Sequence, residues 1–212
     1  MGNQPLSDVT QVRAMELRRS APSSSNLPRV DERSANEGVR ALFARYRAHF
    51  GRTDLPGILL CFATNPALLK GMLEIAENFL FGHSLLSRRH KEMIATYVSR
   101  QNSCSYCTDS HAASLAVQGG SAEMICALQD GDLNTQVFTT AELALLKFAG
   151  KVNANSPAVT RPDVEAAMRA GWTEAEVTET VHIAALFAAF NRIANGFGLP
   201  SPYPERPEAC DD

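Results

Sequence analysis

From Val39 to the last glycines of the chain, apolar residues recur at three- and four-residue intervals between capping signals, and no run alternates apolar and polar residues as a half-buried strand would. That periodicity predicts an all-α fold. Val39, Leu42, Phe43 and Tyr46 form one stripe, and Asn65-Pro66 opens a second helix carrying Leu69, Met72, Leu73, Ala76 and Leu80. Ser87 caps a third helix with Met93, Ile94, Tyr97 and Val98 on one side. Ser103 serves as N-cap of a fourth that ends at Gly119-Gly120, and a short helix follows from Ser121 to about Gln129. Thr139 and Thr173 each begin a capping box, and Thr160 starts a helix that stops before Gly171.

The last helix contains Ile183 to Phe190, a run that is apolar on every side. Such a segment belongs at the centre of a subunit or beneath another one, and its alanines favour close helix contact, so a homo-oligomer is expected. Asp8 to Arg19 reads as a short helix, and the Pro- and Ser-rich stretch from Ala21 to Pro28 reads as a linker. The expected organisation is an arm and linker over 1–26, a helical domain over 27–198 and a Pro-rich, extended tail over 199–212.

Charge and apolar content narrow the partners. A formal net charge of −3 over 212 residues leaves no basic excess to follow a phosphate backbone, so a nucleic-acid partner is not expected. The N-terminus lacks a signal-like basic and apolar sequence, and the longest apolar run is too short to cross a bilayer. No membrane partner and a cytoplasmic location are the expectations. The five cysteines are scattered rather than arranged as a secreted disulfide framework. Cys61 and Cys126 sit in apolar contexts that suit small core residues, and Cys210 reads as incidental.

Cys104, Cys107 and His111 form a C-x-x-C-x-x-x-H segment at a helix start. Helical Cα atoms three residues apart fall within the roughly 4.4 to 6.8 Å that a disulfide tolerates, so the pair can cycle between dithiol and disulfide. Helix-terminal N–H groups favour thiolates, and both thiols are expected to be more acidic than a free cysteine. His111 shares a helix face with Cys107, which makes it that residue's base. The same residue types suit a zinc site, with His111 and one further ligand completing the pair, or a redox-sensing thiol module. Thr108 stands where c-type haem attachment requires histidine, and a thioredoxin fold would need a strand before the motif. No cofactor or metal is expected for the redox reading. By itself Glu92 reads as the partner of an exposed Arg88 ion pair, Tyr106 as a packing residue able to donate a hydrogen bond near the thiols, and His182 as a structural histidine that could reach the site.

The spacing from Glu92 to Cys104, Cys107 and His111 resembles the E…C-x-x-C-x-x-x-H signature of the AhpD-like alkylhydroperoxidases, within the carboxymuconolactone decarboxylase superfamily. Leu27–Asp31, Asn65–Leu69, Ser99–Cys107, Leu145–Ala149 and Phe190–Ala194 look like stretches of its peroxidase-related branch. The resemblance implies an all-helical oligomer that reduces hydroperoxides through its thiols and is reset by an outside dithiol reductant or adaptor protein. It also implies roles: Cys107 becomes the sulfenic acid, Cys104 resolves it, and Glu92 with His111 relays protons. Tyr106 departs from the pattern, because the best-studied AhpD proteins carry a second relay histidine there. The superfamily's decarboxylases lack the cysteine pair, which places a non-redox lyase behind the peroxidase reading.

Overall fold

A computed structural model describes residues 25–203 and 210. The expected helix over Asp8–Arg19 lies outside the described residues. Those described hold nine α-helices and no strand: α1 (Glu37–Phe50), α2 (Gly57–Phe62), α3 (Pro66–Ile75), α4 (Arg88–Gln101), α5 (Ser105–Val117), α6 (Ala122–Asp130), α7 (Thr140–Asn155), α8 (Arg161–Arg169) and α9 (Glu174–Phe197). The molecule is all-α.

Local chemistry sets most of the helix starts. Asn36, Asn65, Ser87 and Ser121 accept N–H bonds as N-caps of α1, α3, α4 and α6, and Pro66 occupies the first turn of α3. Capping boxes close the N-termini of α7, α8 and α9 through Thr139–Glu142, Thr160–Asp163 and Thr173–Glu176. α2 has no side-chain cap from its own N-cap residue, which is Pro56. α3 does not run straight to Leu80 as its stripe suggests; it passes into a π-turn over Ala76–Leu80.

α4 is the central post. Its Ile94, Ala95 and Val98 pack with Leu145, Phe148 and Ala149 of α7 and with Ile183, Ala184 and Phe187 of α9. Gly150 lets α7 approach, since a Cβ there would lie 2.8 Å from Tyr97 Cε1. A second core joins α1, α2 and α3 through Phe43, Leu59, Phe62, Leu69 and Leu73. The π-turn is fastened to α4 by buried Lys91, whose Nζ donates to Phe79 O (2.6 Å) and Gly82 O (3.1 Å). Glu179 of α9 accepts from Ser84 Oγ and the Leu85 N–H on the following link, which ties three elements to one wall of the interior.

The apolar run in α9 is only half enclosed by the subunit. Ile183, Ala184 and Phe187 are buried, while Ala185 and Ala189 are exposed. Residues 199–203 are not helical: Leu199 is buried, and Ser201 Oγ donates to Asp109 Oδ2 of α5 at 2.5 Å.

Two sequence expectations for the cysteines fail. Cys126 and Cys210 are joined in a disulfide across 84 residues, so neither a lone core residue nor an incidental tail thiol describes them. Cys126 lies midway along α6, and Cys210 stands beside it. That pairing is tertiary information, invisible in the local sequence around either residue.

Candidate active site

The link between α4 and α5 places the cysteine pair. The Ser103 N–H bonds Arg100 O and the Cys104 N–H bonds Ser99 O, both at 3.0 Å, which is a Schellman closure of α4. Ser103 takes the left-handed position at φ 52°, where glycine is usual. It is therefore the last piece of α4 rather than the N-cap of α5, a role that falls to Cys104. Cys104 ends one helix and begins the next.

Cys104, Cys107, Tyr106 and a third thiol, Cys61, are buried together with Ala194 and Leu199. The pair and Cys61 are free thiols. A hydrogen bond from the Cys107 thiol, aided by the Cys107 backbone N–H, lowers the pKa of Cys104 despite its burial. Donating that bond, together with burial, drives Cys107 the other way. The expectation of two acidic thiols thus holds for Cys104 and fails for Cys107: the pair gives up one proton readily and keeps the other between the sulfurs. Burial pushes Cys61 up to about 11, which leaves it a protonated core residue.

A cavity of about 420 Å³ opens onto Cys107 but not onto Cys104. Cys107, Ser110, His111 and Ser114 line it from α5 at spacings of three, four and seven residues, one face of the helix. The two serines were missed in the sequence, although their spacing from Cys107 is the signal that could have found them. Most of the remaining wall is apolar, including Phe50, Phe62, Phe81, Phe187 and Phe190. Pro202 and Tyr203 of the tail complete it.

Glu92 reaches this site from α4. Its Oε2 is 2.6 Å from Nδ1 of His111, and its Oε1 accepts from Arg88 Nε at 2.5 Å. The ion pair with Arg88 is not the exposed one that i,i+4 spacing suggested, because Glu92 is 2% exposed. Burial alone would raise its pKa, but the charge and hydrogen bond of His111, followed by those of Arg88, outweigh this and leave the carboxyl below its usual range. Arg88 also lies 4.0 Å over the Phe81 ring, and the His111 ring meets Phe187 edge-on at 4.6 Å. With Nδ1 engaged, Nε2 is the ring nitrogen left for chemistry.

Tyr106 does something other than donate towards the thiols. Its hydroxyl accepts the Ile58 N–H at 3.2 Å, which supplies α2 with the N-terminal partner that Pro56 cannot give. Burial pushes its pKa up to about 12, so it is no proton relay near neutrality. His182 is exposed, stands edge-on to Phe79 at 6.3 Å and is not among the cavity residues. Among the described residues no group of three His, Cys, Asp or Glu side chains is arranged to hold a metal ion. No helix there is long and apolar enough to cross a membrane.

Residues 66–151 match the model of the Carboxymuconolactone decarboxylase family. The matched stretch holds Glu92, Cys104, Cys107 and His111. The fold is similar to that of an uncharacterized peroxidase-related protein with an alkylhydroperoxidase AhpD core from Ralstonia eutropha JMP134 (TM-score 0.76, 23% identity, covering 86% of this chain and 95% of that one). It is also similar to an uncharacterized peroxidase-related protein from Silicibacter sp. TM1040 (TM-score 0.72, 23% identity, 88% and 95% covered). A further structure with this fold is the debrominase Bmp8 (TM-score 0.69, 20% identity, 85% and 95% covered). No curated protein sequence matches the chain.

Proposed function

We propose that the protein is a thiol-dependent peroxidase that reduces an organic hydroperoxide. The observation that carries the reading is the shared cavity wall of Cys107 and His111, with His111 held by Glu92 and Cys104 directly behind. One thiol proton goes to Nε2 of His111, and the other stays with the pair. Passing it to Cys104 leaves the thiolate on Cys107, the sulfur that faces the cavity. That thiolate attacks the outer oxygen of the O–O bond, forming Cys107 sulfenic acid, and the departing alkoxide takes the proton held by His111 and leaves as an alcohol. The Cys104 thiol then condenses with the sulfenic acid, giving a disulfide and water. An outside dithiol, small or borne by a protein, reopens it, and the protein works as a homo-oligomer in the cytoplasm.

The test is mass spectrometry after one equivalent of cumene hydroperoxide. The wild type is expected to lose two hydrogens within the Cys104–Cys107 peptide, Cys104→Ser to trap a sulfenic acid at Cys107, and Cys107→Ser to leave the peroxide unconsumed. A persistent dithiol, or a sulfenic acid found on Cys104, overturns the reading. A second substrate class merits the same assay, because the cavity is ring-sized and aromatic-walled and a variant of the debrominase Bmp8 has been captured in complex with 2,3,4-tribromopyrrole. There the dithiol would convert an aryl bromide to the arene and bromide, and it too would end as a disulfide.

A further inference from the structure

Ser110 and Ser114 stand in the cavity wall, three and seven residues beyond Cys107 on α5, and neither has a part in the reaction described above. Both hydroxyl protons are already committed. Ser110 Oγ donates to Tyr106 O at 2.7 Å, and Ser114 Oγ donates to Ser110 O at 3.0 Å. A carbonyl oxygen can only accept, so each hydroxyl proton lies in its bond to the helix and the remaining lone pairs of Oγ are left to accept. The mostly apolar wall therefore carries two hydroxyls that can take a hydrogen bond and cannot offer one.

Ser110 is the one within reach of the reacting atoms. Helix residues three apart have Cβ atoms roughly 5–6 Å from each other, and each side chain leans back over the turn before its own, so the Ser110 hydroxyl leans over the turn that carries Cys107. A substrate oxygen at the roughly 3–3.5 Å that precedes attack by sulfur can sit between the two side chains. Ser114 is two turns from Cys107, about 10 Å along the axis, too far to share that oxygen. His111, the next residue after Ser110, lines the same wall with Nδ1 engaged by Glu92 and Nε2 left for the substrate.

We propose that Ser110 is a catalytic residue that selects hydroperoxides: its oxygen accepts the hydrogen bond of the substrate O–O–H group and holds the outer oxygen over Cys107. The inference rests on the peroxidase reading and names the bond by which that substrate is recognised. In the attack the Cys107 thiolate forms an S–O bond to the outer oxygen, the O–O bond breaks, and its electron pair leaves with the inner oxygen, which takes the proton from Nε2 of His111. The hydrogen on the outer oxygen never moves. Ser110 therefore holds one and the same O–H in the hydroperoxide and in the sulfenic acid that replaces it. A dialkyl peroxide has no such hydrogen and would leave the Ser110 acceptor without a partner in an apolar wall.

Two reactions of the reduced protein are timed in the wild type, Ser110→Ala and Ser110→Thr. One is disulfide formation with cumene hydroperoxide; the other is addition to Cys107 of N-ethylmaleimide, an electrophile with no N–H or O–H, located by peptide mass spectrometry. Ser110→Ala is expected to slow the peroxide reaction about five- to tenfold, the worth of one hydrogen bond, while the maleimide reaction keeps its rate. Ser110→Thr retains the hydroxyl and is expected to recover most of the lost peroxide rate. Equal slowing of both reactions in Ser110→Ala would show a residue that only shapes the surroundings of Cys107 and overturn the proposal, as would an unchanged peroxide rate. In both of those outcomes the wild type still closes its disulfide and the peroxidase reading stands. A wild type inert to cumene hydroperoxide overturns the two together.

Discussion

Tyr106 stands where the resemblance to AhpD proteins implies a relay histidine. Its side chain instead braces α5 against the first turn of α2. Its chemistry was legible in the sequence only as a departure from a pattern, because the partner, Ile58, lies 48 residues away. Tyr106→Phe is expected to cost about 1 kcal/mol of stability by stranding the Ile58 N–H, as measured by urea denaturation, with the thiol titration unchanged. A thiol pKa that moved in this variant would return the tyrosine to the relay. Glu92 teaches the converse. Its i,i+4 arginine made it look like a surface residue, and only the packing of α5 on α4 shows that the carboxylate spans from Arg88 to His111 inside the protein.

At the scale of elements, helix starts were the most legible part of the chain, because a cap is local chemistry between residues two or three apart. Thr139, Thr173, Ser87 and Ser121 all stand where their sequence context puts them. The α4–α5 link misled for a physical reason: a serine just before a helix start resembles an N-cap, but here the preceding helix claims it for its own closure. Left-handed φ at a residue with a Cβ carries strain of about 1 kcal/mol. Ser103→Gly is accordingly expected to stabilise the protein by up to about 1 kcal/mol, seen as a higher Tm with the thiol titration unchanged. A lower Tm would mean that the serine hydroxyl matters more than its backbone angle.

For the whole molecule, the disulfide between Cys126 and Cys210 fastens Cys210 to α6, and Pro202 and Tyr203, earlier in the same tail, help to enclose the cavity. Closing a loop with a sequence separation of 84 removes chain entropy worth up to about 4.6 kcal/mol from the unfolded state. Cys210→Ser is expected to lower stability by a few kcal/mol in denaturant titrations, and dithiothreitol to do the same to the wild type but nothing further to the variant. Equal stability of all four samples would mean that the bridge does not form in solution.

The shared residue between α4 and α5 sets a phase. Because Cys104 closes one helix and caps the next, the link has no slack in which to absorb a change of length. One residue inserted after Ser103 would turn α5 by about 100° relative to α4, the angle each residue contributes to a helix. Cys107 and His111 would then rotate together off the cavity wall while Glu92 stayed behind, and the clockwork of the site would be intact on each helix yet out of step between them.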